Sequence, residues 1–121
     1  MASGGVALPL RLQRLSRKRD FEFLHRRGRT YHGRFLSLRL VRNNLGEVRV
    51  GFALAKRLGK AVERNRLKRR LREGLRLSPI TPGWDILVIA KEDAVRQNYH
   101  TLKAELERLL RQAGALQGGA S

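Results

Sequence analysis

The sequence predicts an α+β fold: a single-domain α-β sandwich with a small central sheet and helices, in the order roughly αβββαβα. Three observations carry this. Two apolar alternations of period two, "RFLSLRLV" and "EVRVGFALA", read as strands. The leucines Leu67, Leu71 and Leu75 recur every four residues, which is a helix stripe. A chain of 121 residues, 41% hydrophobic, suits one domain with one modest core and is too apolar for a disordered basic tail.

The elements follow in order. Residues 1–10 are small and apolar with Gly4-Gly5, and are expected to be a flexible leader. The domain is expected over residues 11–114. Ser16 can cap a helix from about Arg17 to Arg27, with Gly28 stopping it. In "RFLSLRLV", Leu36, Leu38 and Leu40 share one face, and Phe35, Ser37 and Arg39 the other. Asn43-Asn44-Leu45-Gly46 is a turn. Val48, Val50, Phe52 and Leu54 then share a face, so the two strands are expected to form an antiparallel hairpin. A helix begins near Ala61 and ends at Ser78-Pro79. "WDILVIA" is an apolar run of strand length, expected to be buried on both faces, with Trp84 at the sheet edge. Strand, helix and strand here suggest a parallel crossover. The last helix starts near Asn98 and buries Leu102, Leu106, Leu109 and Ala113. Residues 115–121 are expected to form a flexible tail.

Charge is the strongest functional signal. The formal net charge is +17, and all of it lies in the first 72 residues; residues 73–121 hold six basic and six acidic side chains. From Lys56 to Arg72 there are nine basic residues and one acid, Glu63. A solvated helix face usually mixes signs at four-residue spacing. An excess confined to one part of the chain points instead to a polyanion meeting one side of the protein. Opposite the leucine stripe lie Asn65, Arg69 and Arg72, flanked by Arg66 and Lys68. Guanidiniums bind phosphate oxygens in pairs and stack on bases, and Asn65 can both donate and accept. Arg64 falls on the apolar side of the first turn, where its long stem can reach past the core edge.

Other classes find less support. There is no cysteine, which removes disulfides and thiolate metal sites and fits a cytoplasmic location. No apolar run approaches the ~20 residues of a membrane-spanning helix, so no membrane partner is expected. The patch Val6–Leu10 lacks the charged region that opens a signal peptide. Asp20, Asp85 and Asp93 are scattered rather than paired as a metal nuclease requires, and His32 and His100 read as surface residues. A small ribosomal protein or a DNA-binding module would share the charge. The basic helix set between two strands of one sheet is not a common groove-reading arrangement.

Four ordered segments resemble the bacterial ribonuclease P protein subunit. "AKRLGKAVERNRLKRRLRE" resembles the family's basic helix with its Arg-Asn-Arg motif. "RLSRKRDFEFLHRRGR" is similar to its opening, "VRVGFALAKRLGKAV" to its strand-to-loop segment and "GWDILVIAK" to its last central strand. The resemblance spans roughly Leu10 to Gln112. It implies a protein cofactor that binds a catalytic RNA subunit and the 5′ leader of precursor tRNA. Together they remove the leader by endonucleolytic cleavage, with the protein broadening substrate range. It also implies a left-handed βαβ crossover, against the usual right hand.

The resemblance implies further that the protein has no catalytic residues. Magnesium in the holoenzyme is held mainly by RNA and none tightly by the protein alone, which is a monomer with one copy per RNA. Matched by position, Arg64, Asn65 and Arg66 are the motif, Lys56, Arg57 and Lys60 its preceding loop, and Lys68, Arg69 and Arg70 its continuation, all expected to bind RNA. For the leader cleft the expected residues are Phe21, which could equally be core, together with Arg14, Arg17, His25 and Leu38. The last two stand where the family often has aromatics.

Overall fold

The computed structural model describes residues 6–118. The elements are β1 (Leu12–Arg14), α1 (Lys18–Arg27), β2 (Arg29–His32), β3 (Leu36–Arg42), β4 (Val48–Ala53), α2 (Ala61–Arg76), β5 (Trp84–Ala90) and α3 (Tyr99–Gln112), with 3₁₀ turns at Lys56–Leu58 and Glu92–Arg96. From α1 onward this is the expected order. β1 is additional: three residues are too few for alternation to reveal. The first five residues of the expected leader and the last three of the expected tail lie outside the described residues. Ala115 and Leu116 are buried, and Leu116 bridges to Ile80, so the packed chain runs past the expected boundary at Gly114.

The five strands form one mixed sheet in the order β1-β4-β5-β3-β2. β5 pairs antiparallel with β3 and parallel with β4, and β1 runs parallel to β4. The expected hairpin between β3 and β4 therefore does not form. Their turn is present, with Asn44 and Gly46 at positive φ, but it passes over the start of β5. The hydrogen bonds Asn43 N–H to Gly83 O and Gly83 N–H to Glu47 O seat that start between the two strands. Alternation shows which face is buried, not which strand is the neighbour; the most apolar strand took the central place. Trp84 accordingly opens the central strand rather than lying on an edge. The hairpin that does form joins β2 to β3. Its turn is held by the Glu105 carboxylate, which accepts from the backbone N–H groups of Arg34, Phe35 and Leu36 at 3.0, 2.7 and 2.7 Å.

The core lies between the sheet and α2 with α3. Leu36, Leu38, Leu40, Val48, Val50, Ile86 and Val88 face Leu67, Leu71, Leu75, Leu102, Leu106 and Leu109. Leu67, Leu71 and Leu75 are fully buried, as their spacing predicts. The other sheet face is covered only by α1, through buried Leu24, and Leu87 and Ile89 on β5 are half-exposed. β5 is thus not buried on both faces. Asn98 caps α3 by accepting from Thr101 N–H at 2.9 Å. At α1 the cap position is Arg17 and no side chain caps it, so Ser16 does not play that part.

Candidate nucleic-acid interface

α2 presents the surface its sequence predicts. Asn65, Arg66, Lys68 and Arg69 are exposed along it, and Lys56, Arg57 and Lys60 are exposed at its entrance. The Glu63 carboxylate accepts from Lys60 N–H at 2.8 Å, closing the first turn. Arg57 makes an ion pair with Glu92 at 3.5 Å, both side chains well exposed, a contact of small energy. Two of the expected RNA-binding residues are committed inward. Arg64 Nη1 donates to Gly59 O at 2.7 Å and braces the preceding loop, and Arg70 Nη1 reaches Gln97 O at 3.3 Å.

Beside this face is a cleft of about 560 Å³, lined by Arg14, Leu15, Phe21, Val50, Gly51, Phe52, Lys68 and Arg72. It forms because β1 covers β4 only as far as Val50, leaving Gly51–Ala53 as a free edge between α1 and α2. Phe21 projects from α1 onto this edge. Gly51 makes room for it: a Cβ there would lie 3.3 Å from the Phe21 ring, and a glycine inside a strand often marks such an approach. Lys68 stands with Nζ 5.8 Å from the Phe52 ring centroid, within cation–π range. No carboxylate lines the cleft. Among the described residues, Arg14, Lys68 and Arg72 have no acidic partner.

α1 is held over the sheet by charge. Arg49 on β4 binds Asp85 through Nε at 2.8 Å and Nη2 at 2.7 Å, and reaches Asp20 of α1 through Nη1 at 3.2 Å. The Asp85 hydrogen bond, opposed by burial and aided by the charges of Asp85 and Asp20, holds the Arg49 guanidinium above its ordinary pKa. Asn43 Nδ2 donates to Asp85 as well, at 2.8 Å. Arg39 adds a tie to the α1 backbone, donating through Nε to Leu24 O at 2.9 Å and through Nη2 to His25 O.

Of the five residues expected in the cleft, Arg14 and Phe21 are there. Arg17 lines a different hollow, with Phe23, Arg42 and the Asn43–Leu45 turn. His25 is exposed further along α1 and does not line the cleft. Leu38 is excluded from it: it is fully buried on the core face of β3, because its alternation with Leu36 and Leu40 turns it toward α2 and α3. Phe52 belongs to the cleft and was not among the expected site residues; Arg72, expected on the exposed face of α2, lines the cleft instead. Phe52 alternates with Val48 and Val50 like a core residue, and only its place at the strand end, next to the basic segment, hints otherwise.

The cleft and α2 bring basic and aromatic side chains together. Asp20 and Asp85, far apart in sequence, converge, but the Arg49 guanidinium occupies the space between them. Among the described residues no cluster of three His, Asp or Glu could hold a metal ion. No helix among them is long and apolar enough to cross a membrane.

The Ribonuclease P family model matches residues 10–114. The ribonuclease P protein component of Roseiflexus castenholzii is 41% identical over 114 residues, 92% of this chain and 93% of the relative. That of Dehalococcoides mccartyi is 42% identical over 99 residues, 81% and 78% of the two chains. Among solved structures, the RNase P protein of Staphylococcus aureus superposes with a TM-score of 0.77 at 29% identity, covering 86% of this chain and 97% of that one. The RNase P protein from Thermotoga maritima gives 0.74 at 30% identity, covering 83% and 96%.

Proposed function

The chain belongs to the ribonuclease P protein family, and from that premise we propose that it docks on a catalytic RNA through α2 and holds the 5′ leader of precursor tRNA in the cleft beside Phe21. The observation that carries the reading is the cleft itself. It sets two aromatic rings, Phe21 and Phe52, among three basic side chains without acidic partners, Arg14, Lys68 and Arg72. Single-stranded nucleic acid is bound by that combination: rings take the faces of unstacked bases and cations take the phosphates. A duplex offers no free base faces to the rings.

In this reading, Asn65, Arg66 and Arg69 meet the RNA subunit, and Lys56, Arg57 and Lys60 extend the contact toward the loop. Arg64 supports the motif by holding Gly59 rather than by reaching outward. Lys68 stands where both surfaces meet. Cleavage of the leader belongs to the RNA, magnesium is held by RNA, and the protein joins as one monomer in the cytoplasm. It contributes charge neutralisation and leader binding, which widen the range of substrates.

The test is equilibrium binding of the assembled ribonucleoprotein to precursor tRNA and to mature tRNA. The intact protein is expected to favour the precursor, and Phe21→Ala to reduce that preference about tenfold, within the ~1–3 kcal/mol of a base stack. Equal affinity for precursor and mature tRNA with the intact protein would sink the leader reading.

A further inference from the structure

We infer that the protein has a second subsite for single-stranded RNA on the far side of α1 from the cleft, and that it takes leader nucleotides upstream of those the cleft holds. This rests on the leader reading above. The subsite is a notch of about 490 Å³ whose lining includes Phe23, Arg27, Arg29, Tyr31, Arg42 and Trp84. It exists because β2 pairs with β3 only as far as Leu40, leaving the outer edge of Val41 and Arg42 uncovered while their other edge pairs with β5.

Its chemistry is that of a base-and-phosphate site. Phe23 is 39% exposed, with the Arg26 guanidinium 5.9 Å from its ring centroid. The Arg42 guanidinium is stacked 4.8 Å from the Trp84 ring centroid, and the indole is fixed by its Nε1–H donating to Thr81 Oγ1 at 3.0 Å. Among the described residues, Arg27, Arg29 and Arg42 have no carboxylate partner. Arg17 and Arg19 line an adjoining hollow that shares Phe23 and Arg42, and its two carboxylates, Asp20 and Asp85, are both engaged by Arg49. Three guanidiniums, Arg27, Arg29 and Arg42, therefore surround the aromatic floor, and Arg17 and Arg19 add positive charge in the adjoining hollow. A solvated arginine surface accounts for the charge but not for the exposed ring or the anchored stack. A planar base between flanking phosphates satisfies both.

The placement selects the leader. Phe21 and Phe23 are two residues apart on α1, hence on nearly opposite sides of it, one in the cleft and one in the notch. β4 and β3 are separated only by β5, about 10 Å. With the RNA subunit on α2, the leader enters the cleft from the α2 side. Its upstream end then leaves across α1 toward the notch.

The experiment measures affinity of the assembled ribonucleoprotein for a series of precursor tRNAs whose leaders lengthen one nucleotide at a time. With the intact protein, affinity is expected to rise in two steps, the second when the leader reaches the notch. The double change Phe23→Ala with Arg42→Ala should remove about five- to tenfold affinity from the second step and leave the first. Arg27→Gln with Arg29→Gln alters only exposed side chains, so folding is not at stake, and should weaken the same step. Phe21→Ala should weaken the first. A missing second step in the intact protein, or one retained in both notch variants, overturns the inference. If the first step is also missing, the leader reading itself has failed; if it persists, only the notch has.

Discussion

Phe21 of α1 lies against Gly51 of β4, close enough that a Cβ on residue 51 would meet the ring at 3.3 Å. The contact sets the depth of the cleft, because the ring rests on bare backbone at the free edge of the sheet. Gly51→Val should therefore push the ring outward and fill the floor. Precursor affinity is expected to fall about tenfold, comparable to losing a base stack, with an overpacking cost of about 1–3 kcal/mol. Mature tRNA should bind as before. Titrations of both RNAs, with a melting curve, check this; unchanged precursor affinity would mean that Phe21 is packing and not a platform.

The Arg49 network predicts unequal costs for its two acids. Asp85 is nearly fully buried, with a side chain 2% exposed, whereas that of Asp20 is 20% exposed. Asp85→Asn leaves the guanidinium without its main partner and should cost about 3 kcal/mol. Asp20→Asn should cost about 1 kcal/mol, yet it should weaken precursor binding more than that small loss suggests, because it frees the end of α1 that carries Phe21. Urea unfolding of both variants, beside precursor affinity for Asp20→Asn, makes the comparison. Equal destabilisation by the two changes would contradict it.

Glu107 gives a pH signature. Burial raises its pKa, but hydrogen bonds from Lys103 at 2.8 Å and Ser78 at 2.9 Å, with the Lys103 and Arg111 charges, outweigh burial and hold the carboxyl below its ordinary range. A depressed folded-state value means that the stabilisation is fully present above the unfolded value of about 4.3 and fades as pH falls through the folded one. The melting temperature of the native protein should exceed that of Glu107→Gln near neutrality, and the gap should close in acid below that range. A gap that stays constant with pH would rule out the ionised pair as its source.

What the sequence made legible was local. The stripe of Leu67, Leu71 and Leu75 identifies α2, and a basic run with one acid identifies its exposed face, because period and charge are properties of neighbouring residues. Pairing is not. The place of β5 between β3 and β4, and the three-residue β1, depend on which strands meet, and alternation does not encode that. Of the residues expected together, the structure brings Phe21 and Arg14 to one cleft and places Arg17, His25 and Leu38 away from it. Leu38 has the same alternation as its core neighbours, and a resemblance in position does not reveal on which face a side chain ends. Arg72 was legible as an outward cation of α2, but its meeting with Phe52 depends on the free edge of β4, which exists because β1 stops where it does.

The most direct test of the account is multiple-turnover cleavage of a precursor tRNA by a bacterial ribonuclease P RNA at low magnesium. The reactions contain no protein, the intact protein, or a variant with Asn65, Arg66 and Arg69 changed to alanine, residues exposed on α2 and not needed to brace it. The account predicts that the intact protein stimulates cleavage at the mature 5′ end, that the variant does so only at much higher protein concentration, and that assembly weakens steeply with salt, with a log–log slope of roughly −0.7 to −0.9 per phosphate neutralised. Stimulation by the variant at the same concentration as the intact protein, or none by either, would contradict it.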